Sequence, residues 1–138
     1  MLHNATELHH IADRLKHAGL LPTSQRVRIA AAIAALPQHF SAQELQQAVN
    51  WDSPEICRAT IYNSLRLFVA HGLLQEVHVD PQRTLYDTNT EPHHHLFDPA
   101  TGALHDLPLG AIELKDRTLI PGKIRPEDIA FIVRIRAS

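Results

Sequence analysis

Between Asp87 and Asp106 the chain reads Asp-Thr-Asn-Thr-Glu-Pro-His-His-His-Leu-Phe-Asp-Pro-Ala-Thr-Gly-Ala-Leu-His-Asp. Three consecutive histidines thus lie between two carboxylates, in a segment whose alternation of apolar and polar residues favours an extended backbone. Residues two apart on a strand point the same way, so His93 and His95 share one face and His94 looks to the other. Two imidazoles on one face, with Asp87 before them and Asp106 after the next turn, form a mixed nitrogen and oxygen ligand set. Such a set suits zinc, manganese or ferrous iron better than a soft, thiol-loving ion. The bland alternative is a solvated loop or a purification tag, but the run is internal, three long and flanked by strand-like sequence.

The elements that must hold these residues belong to a chain of 138 residues, enough for one ordinary domain or two small ones. No apolar run approaches the roughly 20 residues needed to span a bilayer. Residues 1–10 lack the cationic then apolar layout of a signal peptide. The expectation is a cytoplasmic protein with no membrane partner. The single cysteine, Cys57, excludes an intramolecular disulfide and a four-cysteine zinc site within one subunit. A small, partly buried side chain is the expectation for it.

Formal net charge is −2, so contact with nucleic acid would depend on where the charges lie. From Arg14 to Gln43 there is no acidic residue, while Arg14, Lys16, Arg26 and Arg28 occur there. From Ile56 to Gln75 there is again none, while Arg58 and Arg66 occur. Two locally cationic regions in a weakly anionic chain are what phosphate contact requires, although a solvated helix face would look the same.

Leu8, Ile11, Ala12 and Leu15 predict a first helix over Thr6 to His17, stopped by Gly19. Thr23 caps a second, whose stripe runs through Val27, Ile29, Ala30, Ile33, Ala34 and Leu36 before Pro37. Ser41 with Glu44 gives a capping box for a short third helix over Ala42 to Asn50. A fourth spans about Arg58 to His71, with Ile61, Leu65, Phe68 and Val69 on one face and Gly72 as its stop. Its other face carries Arg58, Thr60, Tyr62, Asn63 and Arg66, groups able to reach phosphates and base edges. Leu73 to Val79 and Thr84 to Asn89 read as a hairpin through Asp80, Pro81 and Gln82.

Helices followed by a hairpin describe a winged helix, in which one helix enters the major groove and the hairpin lies beside it. After Thr90 the His segment, a return over Ala103 to Leu107, a short apolar helix near Leu109 to Leu114 and an alternating strand from Ile129 to Ile135 complete the chain. The fold class is therefore α+β: a winged-helix DNA-binding domain over 1–89, then a small α/β dimerisation and metal-sensing domain over 90–138 with a three-stranded sheet. So thin a sheet would leave an edge and an apolar face uncovered, and a symmetric homodimer covers both.

The chain resembles the ferric uptake regulator family of metal-dependent bacterial transcriptional regulators. The resemblance is carried by Ala18-Gly19-Leu20 with Pro22-Thr23 and Gln25-Arg26, and by His39-Phe40-Ser41-Ala42-Gln43-Glu44-Leu45. It continues through Arg58-Ala59-Thr60-Ile61-Tyr62-Asn63-Ser64-Leu65 and through Leu85-Tyr86-Asp87 leading into His93-His94-His95. Each fragment is weak alone, and four in register are specific.

What the resemblance implies is a repressor that binds operator DNA as a homodimer and is not an enzyme. It also supplies a ligand that spacing does not find, because the histidine ahead of the third helix is His39 here. The implied regulatory site is His39, Asp87, His93, His95 and Asp106, one site per subunit. It would hold Fe2+ or Mn2+ in function, and Zn2+ as isolated. Arg26 joins the fourth-helix residues on the implied DNA surface.

The sequence departs from the family where many relatives carry paired cysteines for a structural zinc, since Asp98 and Thr101 occupy the first pair. The second half also lacks the long helix and the later ligands. His105 alternates to the other strand face from Asp106 and is left outside the ligand set.

Two branches resemble the chain. Peroxide-responsive repressors share Asp at both carboxylate positions, and there the resemblance implies that ferrous iron reduces hydrogen peroxide and a ligand histidine, His39 or His93, is oxidised. Iron-response regulators of haem metabolism share the Asp87-Thr88-Asn89-Thr90 run, the missing cysteine pairs and the short arginine-bearing last strand. In that branch His94 would be a candidate haem ligand. Both stay open, with a non-haem site favoured. A non-haem iron enzyme shares the two-histidine, one-carboxylate pattern, but the second half is too small to enclose a substrate pocket. A zinc-stabilised interaction module without DNA binding would leave the arginine-bearing helix face unexplained.

Overall fold

A computed structural model describes residues 3–136, so the first two and last two positions of the expected domain ranges lie outside the described residues. The chain separates between Thr90 and Glu91 into two compact units.

The first unit begins with α1, Ala5–His17, and it starts one residue earlier than the periodicity implies because Asn4 is a cap. The Asn4 side chain accepts from the Glu7 amide at 2.8 Å and the Glu7 carboxylate accepts from the Asn4 amide at 3.3 Å, which satisfies two orphan donors of the first turn. Helix α2, Ser24–Ala35, is capped by Thr23, whose hydroxyl accepts from the Arg26 amide. Ser41 and Glu44 form the reciprocal box that starts α3, Ala42–Val49. Helix α4, Arg58–Ala70, buries Ile61, Ser64, Leu65 and Phe68 on one face. Gly72 follows it at φ +76°, the left-handed conformation that closes a helix at least cost in glycine.

These faces meet in one core with Leu15, Ile29, Phe40, Leu45, Ile56 and Tyr86. Each such side chain contributes about 1.5–3 kcal/mol by leaving water. The result fixes the orientation of α4, so that Arg58, Tyr62, Asn63 and Arg66 remain exposed.

After α4, β2 (Gln75–Asp80) and β3 (Arg83–Asp87) form the hairpin. The sheet has a third strand that periodicity does not show: β1, His39–Phe40, pairs antiparallel with β3, giving the order β1-β3-β2. Two residues are too few to carry an alternation signal, and only the partner strand makes them a strand. Tyr86 stacks on Phe40 with ring centroids 5.8 Å apart. Burial, aided by the nearby Glu76 charge, raises the Tyr86 phenol above its ordinary value. Cys57 departs from expectation: it is exposed, at the N-cap of α4. There the Thr60 hydroxyl, 3.3 Å from the sulfur, and the Thr60 amide hold its thiol below the ordinary range.

The second unit is a sheet of order β5-β4-β6. Strands β4 (His94–Asp98) and β5 (Ala103–Leu107) form an antiparallel hairpin, turned at Gly102 with φ +77°. Strand β6, Ile132–Arg134, runs parallel to β4 on its other edge. Phe97 in the central strand is buried, while Ile132, Val133 and Ile135 remain exposed.

Two expectations are corrected here. The apolar helix expected over Leu109 to Leu114 is a single 3-10 turn, Leu109–Ala111, with the poor helix former Gly110 at its centre. The strand expected from Ile129 to Ile135 is three residues long. Its ladder can extend only as far as β4 offers partners, and Asp98 already turns away, its carbonyl accepting from Gly102 and its carboxylate from Ala100. Among the described residues no helix is long and apolar enough to cross a membrane.

Candidate metal centre

Each unit carries a set of imidazole and carboxylate groups aimed at one another. In the first, pairing of β1 with β3 places His39 directly opposite Asp87. The His39 Nε2 lies 3.1 Å from Asp87 Oδ2. Asp87 is fully buried, and a buried carboxylate is tolerated only when its oxygens are partnered. Its other oxygen, Oδ1, accepts from the Gln38 side-chain amide at 2.9 Å and from the Asn89 amide at 2.8 Å. These bonds hold the carboxylate plane and turn Oδ2 toward the imidazole. Gln38 does not figure among the residues singled out by sequence, since no periodicity or motif marks a residue 49 positions from its partner.

In the second unit His93, just ahead of β4, and His95 on it bring their Nε2 atoms to 3.0 Å. Asp106 sits opposite His95 in the β4–β5 ladder, and its Oδ1 lies 3.1 Å from His93 Nε2 and 3.6 Å from His95 Nε2. The ligand-type atoms of these three residues are within 4.8 Å of one another. His105 pairs with Leu96 instead and is exposed, so it belongs to the other strand face.

The protonation pattern shows what this trio can hold. His93 Nδ1 is 2.6 Å from the Glu91 carbonyl oxygen, and a carbonyl only accepts, so Nδ1 carries the hydrogen. The Nε2 of the neutral ring then presents a lone pair toward the Asp106 carboxylate and the second imidazole. Both histidines are buried, and an imidazole lone pair beside a second imidazole and a carboxylate is an arrangement that accommodates a positive charge. A divalent ion supplies it, and a backbone carbonyl behind one ring is the usual device for fixing the ligating tautomer. The donor set, nitrogen and hard oxygen without sulfur, fits zinc, manganese or ferrous iron.

His94 is different. It is buried at 3 % exposure, and its Nδ1 accepts from the Phe131 backbone N–H at 3.0 Å. The ring meets Phe131 edge-on, with centroids 5.1 Å apart. Because Nδ1 is the acceptor, the hydrogen of the neutral ring sits on Nε2, which then has no lone pair for iron.

The remaining singled-out residues lie in the first unit. On α4 the Arg58 guanidinium stands over the Tyr62 ring, 5.4 Å from its centroid, a cation–π contact that holds both side chains up from the helix. Asn63 and Arg66 share the exposed face, and Thr60 is half-buried beside Cys57. Arg26 lies apart from them on α2, where Nη1 donates to the Leu21 carbonyl at 3.0 Å. Asp98 and Thr101 serve the β4–β5 turn, each accepting from a backbone amide.

The model of the family described as the ferric uptake regulator family matches residues 17–125. The chain belongs to that family. This ferric uptake regulator family member is 34 % identical over 100 residues to the peroxide-responsive repressor PerR of Staphylococcus aureus strain Mu50, covering 72 % of this chain and 68 % of the relative. Its fold is similar to the ferric uptake regulator from Pseudomonas aeruginosa solved with manganese, at a TM-score of 0.68 and 23 % identity over 91 % of this chain and 97 % of that one. It is also similar to the Campylobacter jejuni peroxide stress regulator, at a TM-score of 0.61 and 21 % identity over 95 % and 96 % of the two chains. Members of the family are transcriptional regulators and not enzymes, and this member is a metal-responsive regulator of that kind.

Proposed function

We propose that this family member is a cytoplasmic repressor that binds operator DNA as a homodimer when one divalent ion per subunit occupies a site made by His39, Asp87, His93, His95 and Asp106. The observation that carries this reading is the His93 hydrogen bond to the Glu91 carbonyl, which leaves a lone pair facing His95 and Asp106. His39 and Asp87 bring the same chemistry from the first unit.

On this reading the residues do separate jobs. Gln38 and Asn89 orient Asp87, and Glu91 selects the tautomer of His93. Ligands drawn from both units restrict how the units move, so that metal binding favours one spacing of the two α4 helices in a dimer. The α4 face of Arg58, Thr60, Tyr62, Asn63 and Arg66 supplies the DNA contacts, with Arg26 beside the backbone. The exposed apolar β6 edge, Ile132, Val133 and Ile135, is the surface a partner subunit would cover.

Fe2+ or Mn2+ is the functional ion and Zn2+ a substitute acquired on isolation. Bound ferrous iron would supply the electron that reduces hydrogen peroxide, a role supported by the 34 % identity to a peroxide-responsive repressor. Haem at His94 is the weaker reading, since coordination through Nε2 would require the ring to give up its bond to Phe131.

The test is anaerobic purification with metal analysis, followed by mobility-shift assays on operator DNA with and without chelator, before and after hydrogen peroxide. Binding that is lost on chelation and after peroxide supports the reading, and binding indifferent to chelator overturns it.

A further inference from the structure

Arg28 stands on α2, in the acid-free stretch from Arg14 to Gln43, yet its guanidinium is turned inward. Its Nη2 donates to the Val49 carbonyl at 3.1 Å and to the Pro54 carbonyl. Its Nε is buried with no hydrogen-bond partner among the described residues. A side chain that reaches for a phosphate keeps its donors in water, whereas this one directs them at backbone. Val49 is the last residue of α3, so its carbonyl is one that the helix itself leaves without a partner. A cation there is favoured by the helix dipole. Pro54 lies in the loop that leads from α3 to α4.

Asn50 holds the same loop from within. Its Oδ1 accepts from the Ile56 amide at 2.8 Å and its Nδ2 donates to the Ile56 carbonyl at 3.0 Å, so one backbone residue matches both ends of the side-chain amide. Ile56 is 1 % exposed in the core, and the next residue, Cys57, is the N-cap of α4. At the starts of the other three α-helices an oxygen of Asn4, Thr23 or Ser41 caps the first turn. Sulfur is a weaker acceptor, so the placing of the α4 N-terminus depends on how the loop before it is held. Residues 51–55, between the two straps, are all exposed.

We infer that Arg28 and Asn50 are positioning residues for operator recognition. They fix the angle and depth at which the first turn of α4, with Arg58 stacked on Tyr62, is presented to the groove, and neither touches DNA. The inference rests on the proposed reading of α4 as the helix that meets DNA, since in such motifs the N-terminal residues of that helix reach the base edges. It separates Arg28 from Arg58 and Arg66, which stay exposed on the α4 face itself.

The test uses the metal-loaded full chain, a duplex that the wild-type protein selects from a random-sequence pool, and a scrambled duplex of the same length, titrated at several salt concentrations. Arg28→Met keeps the apolar stem and removes the guanidinium, and Asn50→Ala removes the other strap. Each should bind the selected duplex about tenfold more weakly, the scale of one lost base contact. Affinity for the scrambled duplex, the salt dependence and metal content should stay unchanged. Emission from Trp51, the chain's single tryptophan and 84 % exposed in this loop, should depolarise faster in both variants. If Arg28→Met does not fold by circular dichroism, Asn50→Ala decides by the same readouts. Weakening of both duplexes with a salt dependence flattened by about one unit would make Arg28 a phosphate contact and overturn the inference. Undiminished binding of the selected duplex in the variants would overturn the positioning role alone, whereas a wild-type protein that selects no duplex would overturn the proposed function and this inference with it.

Discussion

The Nε2 atoms of His93 and His95 face each other across 3.0 Å, with an Asp106 oxygen 3.1 Å from the first. That closeness is sustained by two backbone devices, the Glu91 carbonyl behind His93 and the β4–β5 ladder that sets Asp106 opposite His95. Two buried imidazoles held beside an exposed carboxylate are groups that one ion can share.

His93→Ala should reduce metal content per subunit to near zero and make operator binding insensitive to chelator. Metal analysis and mobility-shift assays on the same preparation check this together. Retention of the ion with unchanged chelator sensitivity would remove His93 from the site.

Gln38→Ala leaves every proposed ligand in place but removes one donor from Asp87 Oδ1, which still accepts from the Asn89 amide. Losing an outer partner of a ligand typically costs 10–100-fold in metal affinity. A competition titration against a chelator of known affinity should show a drop in about that range, with the protein still folded by circular dichroism. Affinity equal to the unmodified chain would show that the Asn89 amide alone suffices to orient the carboxylate.

On α4, Arg66 is exposed and Tyr62 lies under Arg58. Replacing either Tyr62 or Arg66 by Ala should weaken operator binding by about tenfold without changing metal content. For Arg66 the dependence of log affinity on log salt should flatten by about one unit, the signature of one lost phosphate contact. Mobility shifts at several salt concentrations measure both, and a variant that loses metal along with DNA would contradict the assignment.

Cys57 gives a pH prediction. Hydrogen bonds from the Thr60 side chain and amide favour its thiolate and lower its pKa, and the thiolate is the form that reacts with alkylating agents. Alkylation by iodoacetamide should therefore rise at a lower pH than for free cysteine. Thr60→Val removes the hydroxyl and should move the profile back up. A profile that does not move in Thr60→Val would show that the hydroxyl contributes nothing.

The local elements were readable because their signals act within a few residues. Thr23 and Ser41 cap helices, Gly72 ends one, and the stripe Ile61, Leu65 and Phe68 turns α4 toward the core. The common face of His93 and His95 follows from strand alternation alone. Where local signals were short or mixed, reading failed. Asn4 lies outside the apolar period of α1, a small side chain such as Cys57 suits a partly buried position as well as an exposed cap, and the alternation from Ile129 to Ile135 carries nothing about how much of β4 is left to pair with it.

Residue types and spacing by themselves determined which atoms could act as ligands and on which strand face two of them stand. Tertiary structure alone decided which nitrogen of each ring is free: a carbonyl behind His93 exposes its Nε2, and an amide against His94 Nδ1 withholds that ring from iron. It also joined His39 to Asp87 across 48 positions, through a strand two residues long. The reason is physical. Tautomers and strand pairings depend on partners brought close by packing, and separation along the chain carries no record of them.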